Sequence, residues 1–168
     1  PSRHPLDLGA ALCCDSAHKT LPVLTGGAYL HISRAAPASL RENAKTAMAM
    51  FGSTSPSYLT LASLDLGNRY LSDGYRERLR EMCVCLDEAR KALTAAGWQI
   101  EPSDPLRLTI KAPSGMTGGQ LADRLRENGV ECEYADLDFL VLMLTPENRA
   151  ADIERILHAF GTNDAVYV

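Results

Sequence analysis

The chain reads as α/β, closing in a compact α+β module, and three observations carry that reading. Tyr75, Leu79, Met82, Leu86, Ala89 and Leu93 recur at alternating spacings of four and three, the signature of one long amphipathic helix. Beyond Pro102 and Pro105 the period changes: Leu106, Leu108, Ile110 and Ala112 alternate with Arg107, Thr109 and Lys111, and Phe139 to Leu144 is a continuous apolar run. Between the amino-terminal stretch and this module lies Ser72-Asp73-Gly74, a polar interruption that sets a boundary near residue 73. Residues 1–73 are too few for a doubly wound domain and read as the end of a larger one, whereas 74–168 suffice for a small domain.

In chain order, Leu8 to Cys14 predicts a buried strand and Gly27 to Ser33 a second, with Lys19 on the hairpin-like corner between them. Ser39 and Glu42 have the spacing of a capping box, before a helical stripe of Ala44, Ala47, Met48 and Phe51 that ends at Gly52. Ser53-Thr54-Ser55-Pro56 predicts the next helix start, with Pro56 in its first turn and Leu59, Ala62, Leu66 and Tyr70 on its apolar face. The long helix follows and stops at Gly97. After the strand at 106–112, Thr117 and Gln120 form a second capping box for a helix carrying Leu121 and Leu125, closed by Gly129. Val130, Cys132 and Tyr134 alternate again, and Thr145-Pro146 opens a last helix with Ile153, Ile156, Leu157 and Phe160. Strand, helix, strand, strand, helix places the helices on one face of a sheet. Its expected core is Leu79, Leu86, Leu93, Leu108, Ile110, Leu125, Val141, Leu142, Ile153 and Leu157.

The 168 residues are 46% hydrophobic and carry a net charge of −4 with both signs interspersed, so nothing marks a nucleic-acid or anionic-membrane surface. No apolar run approaches the length of a membrane span. A soluble, cytoplasmic protein is expected. Its five cysteines, Cys13, Cys14, Cys83, Cys85 and Cys132, lack paired zinc-site spacing and are expected to be buried or partly buried reduced thiols. His4, His18, His31 and His158 form no ligand motif, and no metal site is expected.

The chemistry concentrates in Asp15-Ser16-Ala17-His18-Lys19-Thr20. A lysine at the end of a buried strand is expected to be partly desolvated, which lowers its proton affinity and frees its amine to attack a carbonyl. Ser16, His18 and Thr20 add donors suited to a phosphate. From chemistry alone the commoner role of a turn lysine is a solvated surface group, and simple capping explains Ser53 and Thr54 equally well.

Ser16-Ala17-His18-Lys19-Thr20-Leu21, followed by Leu30-His31, Thr54-Ser55-Pro56-Ser57-Tyr58, Leu61-Ala62-Ser63-Leu64-Asp65, Asp104 to Thr109 and Asp136 to Pro146, resembles the Orn/Lys/Arg decarboxylase family. The resemblance implies the PLP-dependent transferase-like fold (fold type I, that of aspartate aminotransferase). Residues 1–73 would then be the carboxy-terminal part of the large cofactor domain, and 74–168 the small α+β carboxy-terminal domain. It also implies pyridoxal 5'-phosphate as cofactor, a Schiff base at Lys19, a phosphate held by Ser16 and His18, and a proton-transfer role for His18. Ser53 or Thr54 would reach the phosphate of a neighbouring subunit in a homodimer or higher oligomer. His31 fits a histidine satisfied at a strand end at least as well as a site residue.

The family's aspartate for the pyridine nitrogen and its ring-stacking histidine belong to a motif upstream of the lysine, which nothing before Leu8 matches; Asp7 and Asp15 lack its surroundings. The resemblance therefore implies the carboxy-terminal fragment of a longer enzyme, partnered by a missing amino-terminal part and binding the cofactor weakly alone. Gly26-Gly27, where a glutamine often follows the threonine, and Ala11, where an aspartate is common, leave substrate and reaction open. The expectations are decarboxylation of a basic amino acid (ornithine, lysine or arginine), another reaction of the fold such as transamination, or a non-catalytic assembly fragment.

Overall fold

The computed structural model describes residues 4–162. The chain separates into two compact units, the first ending at Asp73 and the second beginning at Gly74.

The first unit opens not with a strand but with a 3-10 helix, Pro5–Leu8, capped by His4, whose Nδ1 accepts the Leu6 N–H at 3.3 Å. The expected strand from Leu8 is thus corrected. Pro5 presets a helical φ at the first position, and Gly9 ends the turn at φ 102°, a left-handed conformation suited to glycine. The strand itself is β1, Leu12–Asp15, paired antiparallel with β2, Tyr29–Ile32, in a register running from Leu12 opposite Ile32 to Asp15 opposite Tyr29. Side chains alternate across the pair, so Cys13, Asp15, Tyr29 and His31 share one face and Leu12, Cys14, Leu30 and Ile32 the other. Cys14 is exposed, against expectation; Cys13, Cys83, Cys85 and Cys132 are half-buried.

Helix α1, Ala38–Phe51, starts one residue before Ser39, from Pro37, and the Ser39–Glu42 capping box does not form. Its apolar stripe faces outward: Met48 is 50% and Phe51 86% exposed. Helix α2, Tyr58–Tyr70, is capped by Ser57, whose Oγ accepts the Thr60 N–H, so Pro56 lies ahead of the cap rather than in the first turn. Helix α2 anchors the loop that follows Lys19. Ser63 Oγ accepts the Leu24 N–H at 3.2 Å, and the Tyr29 hydroxyl donates to the Leu64 carbonyl at 3.0 Å. Gly67 is buried here, and its missing side chain admits the close approach, since a Cβ would meet Val23 Cγ2 at 2.9 Å. A π turn, Leu71–Tyr75, interrupts the helix where the two units divide.

In the second unit, α3, Arg76–Ala95, buries Met82, Leu86, Ala89 and Leu93, the residues that its periodicity selects. The sheet is fully antiparallel in the order β3 (Ile100–Glu101), β4 (Arg107–Lys111), β6 (Phe139–Met143) and β5 (Tyr134–Ala135). Leu108 pairs with Leu142 and Ile110 with Leu140, and all four are buried in one core with Leu86, Leu93, Leu121, Leu125, Ile153 and Leu157. Leu79 and Val141 are half-buried instead.

Helix α4, Gly118–Glu127, carries the complete Thr117–Gln120 capping box, with bonds of 2.9 and 3.1 Å. The two-residue β3 beside Pro102 carries too little pattern to announce itself, and two expectations need correction. Val130 and Cys132 lie outside β5. Thr145-Pro146 forms a turn, in which Asn148 Oδ1 accepts the Thr145 N–H, and α5, Ala150–Ala159, begins only after Arg149, whose N–H bonds to Asp152.

Candidate active site around Lys19

Ser16, His18 and Lys19 stand on one 3-10 turn, Ala17–Lys19, set between β1 and β2. Backbone bonds fix it: Lys19 N–H donates to Ser16 O at 3.3 Å, Leu21 N–H to Ala17 O at 2.8 Å, and His18 N–H crosses to Gly27 O at 3.2 Å. Gly26, at φ 90°, supplies the left-handed residue that returns the chain to β2. Ser16 occupies the cap position of the turn but makes no side-chain cap bond, which leaves its hydroxyl available. Ala17 is the buried residue of the turn, His18 is half-buried and Lys19 is exposed. The expected desolvation of Lys19 is therefore absent from this chain: β1 is itself only half-buried, so the strand end does not carry the lysine into a core.

Ser53 and Thr54 lie in the loop between α1 and α2, both exposed, with Ser53 Oγ accepting the Ser55 N–H at 3.0 Å. Because Ser57 rather than Ser53 starts the helix, neither hydroxyl stands at its first turn. Ser53 lines an open groove of about 1090 Å³ within the first unit, walled by Leu12 and Leu30 of the hairpin and by Met48, Phe51 and Leu64. Ser16, His18, Lys19 and Thr54 do not line it. Among the described residues no hydrogen bond links the Lys19 turn to the Ser53 loop.

Another group was hidden by its sequence spacing. His4 Nε2 lies 2.9 Å and His31 Nε2 3.2 Å from the same oxygen, Asp15 Oδ2, while Cys13 Sγ–H donates to Asp15 Oδ1 at 3.0 Å. The bond from His4, then that from Cys13, holds the Asp15 carboxyl below its ordinary range, and the same contact with Asp15 pushes the Cys13 thiol up. The available signal was hairpin register: once β1 and β2 pair, Cys13, Asp15 and His31 must share a face. His31, near the end of β2, thus has Asp15 as its partner, as a satisfied strand-end histidine would.

Residues 7–113 match the model of the family described as Orn/Lys/Arg decarboxylase, major domain, and the match runs past Asp73 through α3 and β4. The Bacillus subtilis protein YaaO is 32% identical over 149 residues, covering 83% of this chain and 31% of its own. An arginine decarboxylase of Bacillus subtilis is 28% identical, covering 92% of this chain and 34% of its own. The chain thus spans about a third of the length of the curated relatives it matches. Among solved structures, the constitutive lysine decarboxylase of E. coli superposes with a TM-score of 0.65 at 18% identity, over 89% of this chain and 28% of that one. A ureidoglycine-glyoxylate aminotransferase of Bacillus subtilis gives 0.63 at 15%, over 94% and 49%. These likenesses place the fold among the decarboxylases and aminotransferases, and on the family match the chain belongs to the Orn/Lys/Arg decarboxylase family.

Proposed function

We propose that this chain is the Lys19-bearing, carboxy-terminal part of a pyridoxal-phosphate-dependent decarboxylase for a basic amino acid, acting in the cytoplasm as a homodimer or higher oligomer. The observation that carries this reading is the turn that presents Ser16, His18 and Lys19 together inside a family match covering residues 7–113. The donor set fits the phosphate end and the covalent anchor of the cofactor: an uncommitted Ser16 hydroxyl, the His18 imidazole and an accessible Lys19 amine. When bound, the cofactor supplies the sink for the electrons left by the departing carboxylate. Lys19 Nζ would anchor it covalently, Ser16 would donate to its phosphate, and His18, half-buried beside Lys19, would hold or pass a proton at that amine. Ser53 and Thr54 would serve a neighbouring subunit, which accords with their place on a separate loop.

The domain reading follows the same proposal: the first unit would be the end of the large domain and the second the small one. Exposed Leu12, Leu30, Met48 and Phe51 along the groove suit a unit that packs against the rest of such an enzyme.

Borohydride reduction of the complete enzyme followed by peptide mapping is expected to leave the cofactor on Lys19. A label on Lys45, Lys91 or Lys111, with Lys19 unmodified, would overturn the assignment. Release of amine and carbon dioxide supports decarboxylation, whereas a keto acid would favour transamination, the alternative reaction of the same fold.

The 168-residue chain alone is expected to bind the cofactor weakly and to turn over no basic amino acid. An exposed Lys19 has no desolvated wall, and Asp15 already accepts bonds from His4 and Cys13. An absorbance titration giving a stoichiometric, Lys19-dependent band together with turnover would contradict this.

A further inference from the structure

We propose that His4, Asp15 and His31 form a binding site for one divalent first-row transition ion such as Zn²⁺. The inference is independent of the reading of Lys19. It rests on convergence: three side chains from three places in the first unit bring His4 Nε2, His31 Nε2 and an Asp15 oxygen within 4.8 Å of one another.

Each approach has a local cause. The 3-10 helix Pro5–Leu8 folds back through Gly9, with Ala10 N–H bonded to Pro5 O at 3.0 Å, and so returns His4 to the start of the hairpin. Hairpin register puts Asp15 and His31 on the same face, diagonal to one another, with Cys13 opposite His31 and Tyr29 opposite Asp15. The His4 and His31 rings meet edge to face, with centroids 5.3 Å apart and planes at 80°, so their nitrogens converge without stacking.

The distances suit an ion. Ligand bonds of roughly 2.0–2.1 Å in a tetrahedral site put neighbouring donor atoms about 3.3 Å apart, and the two nitrogen–oxygen separations here are 2.9 and 3.2 Å. The two imidazole nitrogens lie within 4.8 Å of each other, so rotation of the side chains would set all three donors around one ion. All three side chains are near 40% exposed, so they can move and water can complete the coordination. Two imidazoles and one carboxylate select a borderline ion rather than calcium or magnesium, which favour oxygen donors.

The surroundings supply orientation as well. Cys13 Sγ–H holds Asp15 Oδ1, which leaves Oδ2 turned to the histidines, the kind of outer contact that fixes a metal-binding carboxylate. One contact opposes binding. His4 Nδ1 accepts the Leu6 N–H, and coordination through Nε2 moves the ring proton to Nδ1 and releases that bond. At 3.3 Å it is a long bond, and the loss is small beside two or three metal–ligand bonds.

Titration of the chelator-treated 168-residue chain with Zn²⁺ by calorimetry, and with Co²⁺ by visible absorption, tests the site. One ion per chain is expected, unaffected by excess Mg²⁺. His4→Gln, His31→Gln and Asp15→Asn are each expected to weaken binding at least about tenfold. Cys14→Ser, on the opposite face of β1, is expected to leave it unchanged. His4 lies outside the hairpin, so His4→Gln decides the matter should circular dichroism show that the strand variants unfold. Absence of saturable binding overturns the proposal, leaving a hydrogen-bonded cluster only. Binding that survives His4→Gln, or that is lost with Cys14→Ser, overturns it equally by placing the ion elsewhere.

Discussion

The two units use their apolar residues in opposite ways. In the second, Leu86, Leu93, Leu108, Ile110, Leu125 and Leu140 are all fully buried in one core. In the first, Leu8, Leu24, Met50, Phe51, Tyr58 and Leu59 are all more than half exposed, and the buried positions are small residues such as Ala17, Gly27, Ala36 and Gly67. Apolar burial stabilises at about 25 cal/mol per Å², so the second unit carries its own stability in its side chains. The first unit is held by backbone bonds, a hairpin and the clamp of α2 on the loop at 24–29. All the residues assigned to chemistry, Ser16, His18, Lys19, Ser53 and Thr54, sit on the thinly cored unit. The well-packed unit carries none of them.

The largest test of this contrast is a pair of truncations. Leu108→Ala empties a site with no exposed surface on the central strand β4 and is expected to cost about 2–5 kcal/mol. Phe51→Ala removes a larger side chain that is 86% exposed and is expected to change stability by less than about 0.5 kcal/mol. Denaturant unfolding followed by Trp98 reads the first directly, because the single tryptophan packs edge to face on Phe160 and donates Nε1–H to the Phe160 carbonyl. Hydrogen exchange along α1 reads the second. Equal losses would abolish the distinction between the units.

The same contrast explains what could be read in advance. Periodicity reports which residues a fold can bury, so α3, β4 and β6 were legible wherever a core exists to reward the pattern. In α1 the stripe of Ala47, Met48 and Phe51 was equally clear, yet among the described residues of the first unit it is left exposed. Capping signals succeeded where the geometry was local and uncontested, as at Thr117 and Gln120. They failed at Ser39, where Pro37 starts the helix earlier, and at Ser53, where Ser57 is the better-placed oxygen. The Lys19 turn was legible because its residues are contiguous. The His4, Asp15 and His31 group was not, because register and a 3-10 turn assemble it from separate segments.

A smaller effect separates the two units by how closely their backbones approach. Gly118 opens α4 directly against the turn before β6, where a Cβ would fall on the Phe139 carbonyl and lie 2.8 Å from Asp136 O. Both obstacles are backbone, so Gly118→Ala must displace the helix start and is expected to cost about 1–3 kcal/mol. Gly67→Ala meets instead a methyl of Val23, on a loop that can shift, and is expected to cost less. The ratio of the two losses in thermal midpoints measures how rigidly each unit holds its contacts; a larger loss for Gly67→Ala would reverse the comparison.

The smallest effect expected is on the acid side. Asp136 opens the same turn: its Oδ1 accepts the N–H of Phe139 at 2.7 Å and of Asp138 at 2.9 Å, and its Oδ2 accepts the Tyr134 hydroxyl at 3.1 Å. The backbone bonds, Phe139 first, hold its carboxyl below the ordinary range because they favour the charged form. A carboxylate whose folded value is depressed contributes stability that is fully present above the unfolded value of about 3.9 and disappears as pH falls through the folded value. Asp152, bonded to the Arg149 N–H at the start of α5, behaves alike, so the second unit is expected to lose stability steadily below about pH 4. Asp136→Asn keeps an acceptor but no titrating charge, and should lower stability near neutral pH while flattening this acid limb. Trp98-detected denaturation midpoints, measured for both proteins from about pH 6 to below about pH 3, give the comparison. Parallel acid limbs for the two would show that the turn at Asp136 does not couple proton binding to the packed core beneath it.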